Sequence, residues 1–333
     1  MKLPFFRQPT GSVGMLLTDT GLRYAEVRTT GDRVQVKQAG LIELESGCVE
    51  GGRIVDMEKT IARLSAGLRH TRLKHKRVSV SVPTSMVIVR TVPLPKVPAR
   101  EVRPLLEMEL SSTVHLPFTN PYFDYYKLPD EVIEERENEE GQTETIRLDN
   151  YLIVAAPGGI IEEYTGLFDR LDLSLHAIDI EPLALHRLLM RAGVDNESCM
   201  MYMQFGTDVI NVSFFQEGVP EFIRSIPLTL SNYQSVAGAH IPEGLEAFAI
   251  EATREVERVL NFYQFTIKND GTRVRTIRIT GTFAGAEKVI EVMRGVLSGI
   301  DISLFPADHI IHPFFEDRDI QDYTIPIGLS MKG

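Results

Sequence analysis

The sequence predicts an α/β protein in which one arrangement of strands occurs twice. Residues 13–44 and 199–230 each show two apolar strands around a short polar turn, then a glycine-containing turn and a third strand. After each set, strand and helix patterns alternate, as in α/β folds. The length of 333 residues exceeds what one hydrophobic core usually serves. We therefore predict domains at residues 1–195 and 196–333, with an extra subdomain inserted at about residues 92–174.

The first half continues from its three strands into a helix and further strands. Residues 56–70 place apolar side chains at helical spacing. Residues 78–82 and 86–92 have strand character and are separated at Pro83, because proline cannot donate to a sheet. This order predicts a crossover helix between the meander and the next strand.

The inserted subdomain is predicted from a change in composition. Pro93, Pro95 and Pro98 cluster before a helix predicted over Ala99–Ser112, and an extended, aromatic-rich segment follows. Residues 130–144 then carry eight carboxylates and one arginine, so their charges repel and they bury little apolar surface. We predict that this acidic segment is a solvated hairpin tip and not a binding site.

The remaining elements follow the same alternation of strands and helices. Gly193 is predicted to end a helix over Glu181–Arg191, because glycine adopts the left-handed conformation readily. The other predicted elements are strands at 151–156, 176–180, 276–280 and 302–305, and helices at 158–171, 243–265 and 286–297.

Composition excludes several classes of function. With 35 Lys and Arg against 46 Asp and Glu, the net charge of −11 argues against a nucleic-acid partner, which would require a basic face. Cys48 and Cys199 lie far apart in the sequence, so neither a thiolate metal site nor a disulfide framework is indicated. The sequence shows no signal peptide and no apolar segment of membrane-spanning length, so we expect a cytoplasmic protein.

One basic stretch stands out in this acidic chain. Residues 69–77 carry five lysines and arginines. They could face anionic lipid headgroups or an acidic partner. Alternatively, they form a solvated loop in which positive charges lie favourably near a helix C-terminus, and we favour this interpretation.

Motifs for other chemistry are absent from the sequence. Neither a P-loop, a dinucleotide-binding glycine motif, a nucleophile elbow nor a zinc-protease motif occurs. His309 and His312 have a spacing that suits metal ligands on a helix, but Ile310, Ile311 and Pro313 predict an extended segment in which the two rings diverge. We therefore predict no metal site.

Several short motifs, in order, resemble those of the PilM family. They are Arg90-Thr-Val-Pro-Leu-Pro95, His115-Leu-Pro-Phe118 with Phe123-Asp-Tyr125, Tyr151-Leu-Ile-Val-Ala-Ala-Pro157, Ala177-Ile-Asp-Ile-Glu-Pro-Leu-Ala-Leu185 and Pro326-Ile-Gly-Leu329. The resemblance covers nearly the whole chain and rests on order and spacing, since no single motif is specific. It implies a duplicated actin-like, ribonuclease-H-like two-domain fold with a small FtsA/PilM-type extra subdomain.

The same resemblance implies where a nucleotide would bind, and these turns are altered here. The positions concerned are Thr18, Asp19, Thr20, Gly21, Arg23, Gln204, Gly206, Thr207, Asp208, Gly281 and Thr282. In the family's first phosphate turn an Asp manages Mg²⁺ and a Gly approaches the phosphate, whereas Leu16 and Thr18 occupy those positions in this chain. Gln204 replaces the Asp of the second phosphate turn and supplies no charge for a metal.

The third turn is altered as well, because Thr282 stands where the family has a glycine on the adenosine side. Asp19 and Asp208 lie close to the missing carboxylates, but we expect them to brace their hairpin turns by hydrogen bonds to the backbone. Arg23 stands at the family's Lys position, and we expect it to be solvated. We therefore expect a pseudo-ATPase without a cofactor, and ATP with Mg²⁺ is the disfavoured alternative.

The resemblance further implies a scaffold or adaptor role in a type IV pilus or competence machine. In the family, a groove between the first domain and the extra subdomain receives the cytoplasmic tail of PilN, an inner-membrane protein. Leu116, Phe118, Phe123 and Tyr125 are the residues predicted to line its wall, although alternating aromatic residues are also typical of a subdomain core. Contact with the membrane would then be indirect, through the partner.

Other functions stay open at this point. One is a working actin-like ATPase or small-molecule kinase, which would need a metal-handling carboxylate. Another is the cytoplasmic component of a type II secretion system. An FtsA-like anchor would need a C-terminal amphipathic helix, for which the end of the sequence is expected to leave no room. Other pilus assembly proteins and identical copies of the chain are further candidate partners.

Overall fold

The computed structural model divides by its internal contacts into two compact units. It describes residues 12–71, 73–112, 114, 116–137, 143–194, 199–229, 232, 241–281, 285–313 and 319–332. Unit 1 comprises Met1–Ser85 with Glu163–Gly333, and unit 2 comprises Met86–Glu162. Both of the duplicated halves lie in unit 1, and unit 2 is the inserted segment.

The described residues contain sixteen strands. In chain order they are β1 (Val13–Thr18), β2 (Gly21–Thr30), β3 (Arg33–Glu43), β4 (Val49–Glu50), β5 (Arg53–Ile54), β6 (Arg77–Val82), β7 (Ile88–Leu94), β8 (Pro121–Glu137), β9 (Thr143–Pro157), β10 (Ser174–Ile180), β11 (Met200–Phe205), β12 (Val209–Gln216), β13 (Val219–Pro227), β14 (Thr276–Gly281), β15 (Asp301–Leu304) and β16 (Ile310–Ile311).

Seven α-helices lie in the described residues, and two of them have ends that local sequence signals explain. They are α1 (Met57–His70), α2 (Ala99–Ser112), α3 (Gly158–Arg170), α4 (Glu181–Arg191), α5 (Ile241–Phe262), α6 (Ala286–Val296) and α7 (Thr324–Ser330). The Asp56 carboxylate caps α1 by accepting a hydrogen bond of 2.9 Å from the Lys59 N–H. Gly193 follows α4 with a φ of +68°, as predicted for its terminator.

The two larger sheets of unit 1 share an arrangement of five strands, and β4 with β5 forms a separate two-stranded sheet. The first sheet is ordered β10-β6-β1-β2-β3-β16 and the second β13-β12-β11-β14-β15. In each, three antiparallel strands form a meander, and the next two strands lie parallel to the meander's first strand. The first sheet gains β16, which returns from the second half and pairs parallel to β3. The predicted duplication is therefore confirmed.

A hydrophobic cluster joins the two halves of unit 1. Leu185 and Leu188 of α4 lie in one buried cluster with Met200 and Phe215 of the second sheet. His186 projects from the same helix, stacks on Phe215 with 4.8 Å between ring centroids, and shares a hydrogen bond with the hydroxyl of Tyr202. Helix α4 thus packs against both halves, while the second half also has a buried cluster made only of its own residues.

We expect this contact to make the stability of the protein depend on pH. Burial, with a smaller contribution from Arg187, lowers the pKa of His186 from 6.5 to about 4. Between these values the unfolded chain binds a proton that the folded chain does not, so the free energy of unfolding falls as the pH decreases, by up to about 3 kcal/mol. Urea unfolding at pH 7.5 and pH 5.0 measures this change in the free energy of unfolding.

The His186→Gln variant has no imidazole to titrate, so its free energy of unfolding should change less between the two pH values. An equal change in the wild-type protein and the variant would contradict the role of His186.

The last helix returns to the first half and packs closely against it. A Cβ atom at Gly14 of β1 would lie 1.9 Å from the carbonyl oxygen of Pro326 in α7. On the other side of α7, a Cβ atom at Gly328 would lie 2.1 Å from the carbonyl oxygen of Ala184 in α4. These approaches are possible only because neither glycine has a side chain.

Unit 2 is a three-stranded sheet, ordered β7-β9-β8, with α2 packed against one face. Its core includes Val92, Leu106, Phe123 and Ile153. The compact unit ends at Glu162, earlier than the predicted limit near 174, because the following residues of α3 bond within unit 1. In the acidic segment, β8 and β9 continue as a paired ribbon, and residues 138–142 lie outside the described residues.

The helix predicted over residues 243–265 ends earlier and changes its winding. After Phe262 the chain forms a π-helical turn, Tyr263–Lys268, and Asn269 then adopts a left-handed conformation with a φ of +48°. In this turn the hydroxyl of Tyr263 and the ammonium of Lys268 both donate to Glu221, each at 2.5 Å. The wider turn brings both groups to one carboxylate, which periodicity alone does not indicate.

Candidate functional site

The first predicted phosphate turn, between β1 and β2, is closed by its own side chains. The Thr18 hydroxyl donates to the Gly21 carbonyl at 3.0 Å and lies 3.1 Å from the Thr20 hydroxyl. Arg23 is mostly buried, donates to Thr18 Oγ1 at 3.5 Å, and forms an ion pair of 3.9 Å with Asp322. The prediction that Arg23 is solvated is therefore wrong, because the C-terminal segment covers it.

Asp19 braces a neighbouring hairpin and not its own turn. Its two carboxylate oxygens accept hydrogen bonds of 3.0 Å from the N–H groups of Gly51 and Gly52, between β4 and β5. The buried hydroxyl of Tyr164 donates to the Gly52 carbonyl at 2.8 Å. The expected bracing role thus holds for Asp19, but its partner was predicted wrongly, since periodicity gives no contact between β1 and the β4–β5 hairpin.

The second predicted phosphate turn joins β11 to β12. The Gly206 N–H donates to the Val209 carbonyl at 2.8 Å, and Thr207 and Asp208 are exposed. The Asp208 carbonyl accepts a hydrogen bond of 3.2 Å from the Leu228 N–H. Gln204 precedes this turn and is half-buried.

Glu181 is a site residue that the sequence analysis did not single out. It is the first residue of α4, is buried, and accepts a hydrogen bond of 2.9 Å from the Thr84 hydroxyl at Oε2. Burial raises the pKa of Glu181, and the hydrogen bonds from Thr84 and Gln204 oppose that rise. In the sequence, Glu181 follows an apolar strand and precedes Pro182. This position does not mark a functional residue, because glutamate is common in the first turn of a helix.

The third predicted turn follows β14 and is tied to the C-terminal segment. The Thr280 hydroxyl donates to the Gln321 carbonyl at 3.0 Å and lies 2.8 Å from the Thr324 hydroxyl. Gly281 has a φ of +101°, and a Cβ atom there would lie 2.2 Å from the carbonyl oxygen of Phe205. Thr282 lies outside the described residues.

Some of the predicted site residues are connected because they contact the same neighbouring segment of the chain. Gly281 pairs with Phe205 beside the second turn. Arg23 and Thr280, from different halves, both contact the residues around Asp322. Each turn is therefore bonded to other parts of the protein through its own polar groups.

The four residues predicted to bind a partner lie in unit 2. Phe123 is 7% exposed and belongs to the core, whereas Leu116, Phe118 and Tyr125 are half-buried and pack against that core. The Arg103 guanidinium lies 4.7 Å from the ring centroid of Phe123 and 5.4 Å from that of Tyr125. Arg103 also lies 3.8 Å from the Asp124 carboxylate, so the surroundings are aromatic with an ion pair beside the rings.

Other candidate sites are limited in the described residues. His309 and His312 flank β16, so the segment between them is extended as predicted, and the described residues contain no group of three potential metal ligands. In the basic stretch, Lys76 pairs with Asp172, and His75 lies 3.6 Å from Glu26. No helix in the described part of the chain has the length and apolar character needed to cross a membrane.

Comparison with known proteins identifies related folds. The PilM–PilN type IV pilus biogenesis complex matches with 15% sequence identity, covering 97% of this chain and 98% of the other, with a TM-score of 0.76. EutJ from Carboxydothermus hydrogenoformans has 11% identity over 98% and 91% of the two chains and a TM-score of 0.49. MreB 5 of Spiroplasma citri bound to AMPPNP has 9% identity over 96% and 95%, with 0.48. No curated protein sequence matches this chain.

The family assignment rests on sequence. The duplicated sheets and the fold match confirm the predicted actin-like architecture. A family profile described as type IV pilus assembly protein PilM matches residues 14–228, which is more than half of the chain. The chain therefore belongs to the family of the type IV pilus assembly protein PilM.

Proposed function

We propose that this protein is a cytoplasmic adaptor of a type IV pilus assembly machine, which binds the cytoplasmic tail of a PilN-like inner-membrane protein without turning over ATP. The family match over residues 14–228 carries the pilus assembly part of the proposal. The partner is suggested by the solved relative, which is a complex of PilM with PilN. The protein would reach the inner face of the membrane through this partner.

The absence of ATP turnover is proposed from the chemistry of the turns. Leu16 lies in a hydrophobic cluster at the position of the family's first Asp and has no group that could bind a metal or its water. Asp19, the nearest carboxylate in sequence, has both oxygens engaged by the N–H groups of Gly51 and Gly52. Gln204 replaces the second Asp. Mg²⁺ would thus lack the carboxylates that normally hold it.

Isothermal calorimetry with Mg-ATP tests this part of the proposal. We expect no heat of binding at micromolar protein, because the charged ligands of the metal are missing. The double substitution Leu16→Asp with Gln204→Asp restores both carboxylates and is a useful comparison, although Leu16 is a core residue and the variant must first be shown to fold. Micromolar binding of Mg-ATP by the unchanged protein would contradict the inference that the altered turns cannot hold the nucleotide and its metal.

We propose that the peptide contacts the half-buried apolar residues of unit 2. Leu116, Phe118 and Tyr125 retain exposed surface that a peptide could contact. Phe123 is buried and would only support these three residues from the core of unit 2. An extended apolar tail could order itself on such a surface by filling pockets between the rings and by hydrogen-bonding to the backbone.

Fluorescence anisotropy tests partner binding. The probe is a labelled peptide copied from the cytoplasmic N-terminus of a PilN-like protein. We expect saturable binding that is unchanged by Mg-ATP, and a loss of about 10-fold in affinity for Phe118→Ala or Tyr125→Ala, as is typical of aromatic anchors. Tyr122→Ala is the matched control, because Tyr122 is 63% exposed and lies on the opposite face of β8 from Tyr125.

The outcomes of this titration separate the parts of the proposal. Absence of binding would contradict the partner, and binding only with Mg-ATP would contradict nucleotide independence. A loss for Tyr122→Ala together with unchanged binding for the Phe118 and Tyr125 variants would move the binding surface to the other face of the strand.

A further inference from the structure

A group of exposed apolar side chains lies where helix α5 passes into the π-helical turn. Eleven large apolar side chains are exposed in the described residues, and three of them fall within six consecutive positions. They are Phe262, Phe265 and Ile267, which are 42%, 60% and 44% exposed, and we call them the apolar turn. Such a concentration of apolar surface usually marks a place where a protein contacts a partner or a membrane.

The apolar turn is anchored to strand β13 from both of its ends. The Tyr263 hydroxyl and the Lys268 ammonium donate to different oxygens of Glu221, each at 2.5 Å. The Phe262 ring packs against the Phe222 ring, with 5.6 Å between their centroids. These contacts hold the turn in an arrangement that buries Tyr263 and presents its apolar neighbours to solvent.

The segment that contains the apolar turn is positively charged in an acidic protein. Residues 262–278 carry four Lys and Arg against one Asp, whereas the whole chain has a net charge of −11. Lys268 and Arg278 are engaged in ion pairs. Arg273 and Arg275 form no ion pair within the described part of the chain, and the Arg273 guanidinium lies 4.9 Å from the ring centroid of Phe265.

Acidic groups near the turn in sequence are either engaged or directed elsewhere. Asp270 accepts a hydrogen bond of 2.8 Å from a backbone N–H of its own loop, and Glu255 pairs with Arg258. Glu257 is exposed, but it precedes Phe262 by five positions and so lies about 140° away round the helix. The uncompensated charges beside the apolar turn are therefore cations.

We propose that the apolar turn, together with Arg273 and Arg275, contacts the anionic surface of the membrane. The apolar side chains enter the boundary between headgroups and acyl chains, while the guanidinium groups meet the lipid phosphates. Acyl chains close around projecting side chains without a preformed groove, which suits residues as exposed as these. This inference rests on the proposed function, in which a partner's tail brings the protein to the membrane and so raises the effective concentration for a weak second contact.

Tryptophan fluorescence tests this contact directly, because the chain contains no tryptophan of its own. Phe265→Trp places a single reporter in the apolar turn, and Ile250→Trp places one at another exposed apolar position of α5. The probes are vesicles of phosphatidylethanolamine with phosphatidylglycerol, and neutral vesicles of phosphatidylcholine. On the anionic vesicles we expect a blue shift and quenching by brominated lipid for Phe265→Trp, and neither for Ile250→Trp.

Co-sedimentation with the same vesicles measures what each group contributes. We expect Phe265→Ser with Ile267→Ser to weaken binding about 10-fold or more, because both side chains leave the lipid. Arg273→Gln should weaken binding about 5-fold on the anionic vesicles and little on the neutral ones. Ile250→Ser is the matched control and should bind like the wild-type protein. Thermal unfolding of each variant establishes that the loss is not a loss of folding.

Three results would overturn the membrane contact. They are absence of vesicle binding by the wild-type protein, equal binding by the double serine variant, and self-association in analytical ultracentrifugation that the double serine variant abolishes. The last result would assign the apolar turn to a second copy of this chain. The vesicles carry no partner peptide, so their result is independent of the anisotropy titration, and failure of the proposed partner would be seen only there.

Discussion

Gly328→Ala should destabilise the protein strongly. The new Cβ atom would lie 2.1 Å from the carbonyl oxygen and 2.6 Å from the carbonyl carbon of Ala184, so helices α7 and α4 would have to separate. The obstructing atoms belong to the backbone, which cannot move aside as a flexible side chain does. We expect a loss of at least about 3 kcal/mol, and a fall in the melting temperature on the order of 5 °C or more.

Gly295→Ala is the matched control for this substitution. Gly295 also lies in a helix, α6, but a Cβ atom there would have no neighbour within 4 Å. Because alanine favours helices more than glycine does, this variant should be neutral or gain about 0.5–1 kcal/mol. Thermal scans of the two variants compare them directly. Equal melting temperatures would mean that α7 is not packed as closely on α4 as the structure describes.

Asp179→Ala should have a comparable effect through charge. The buried Asp179 carboxylate accepts from Arg187 at 2.7 Å and lies 3.1 Å from the Lys332 ammonium, while Arg187 also donates to the Gly328 carbonyl at 2.7 Å. Removing the carboxylate leaves a largely buried guanidinium without its counter-charge and disturbs the anchoring of α7. Breaking such a buried pair typically costs about 3–5 kcal/mol, which chemical denaturation can measure.

The matched control is Glu58→Ala, which removes an exposed ion pair. Glu58 is 78% exposed and accepts two hydrogen bonds of 2.7 Å from Arg170. These distances equal the 2.7 Å between Asp179 and Arg187. Because solvent screens the charges of the exposed pair, we expect Glu58→Ala to change the free energy of unfolding little. If Asp179→Ala were equally mild, the ion cluster beneath α7 would not be a main contributor to stability.

Acid should remove the contribution of Asp179 in a defined range of pH. Burial would raise its pKa, but Lys332 and Arg187 outweigh that effect and bring the pKa from 3.8 to about 2. A carboxylate with a depressed pKa stabilises the fold above its unfolded value and loses this contribution as the pH falls toward the folded value. Wild-type stability should therefore fall between pH 4 and pH 2 more steeply than that of the Asp179→Ala variant.

The alternation of residue types was sufficient to predict the strands of both meanders and most helices of the described chain. The meander strands and α1 were predicted because period-2 and 3.6-residue patterns record which face of an element is buried. Asp56 and Gly193 were predictable for the same local reason, since caps depend on neighbouring backbone groups. The π-helical turn after Phe262 could not be predicted in this way. Its side chains Tyr263 and Lys268 bind Glu221, which lies on the distant strand β13.

At the candidate site, the sequence by itself determined which functional groups are missing. Leu16 and Gln204 lack the carboxylates of the family's turns, and this follows from residue identity alone. Only the tertiary structure decided what the remaining groups do: Asp19 binds the Gly51–Gly52 turn, and Arg23 pairs with Asp322 near the end of the chain. The physical reason is that periodicity reports burial along one element, whereas a hydrogen bond between distant elements depends on how the whole chain packs.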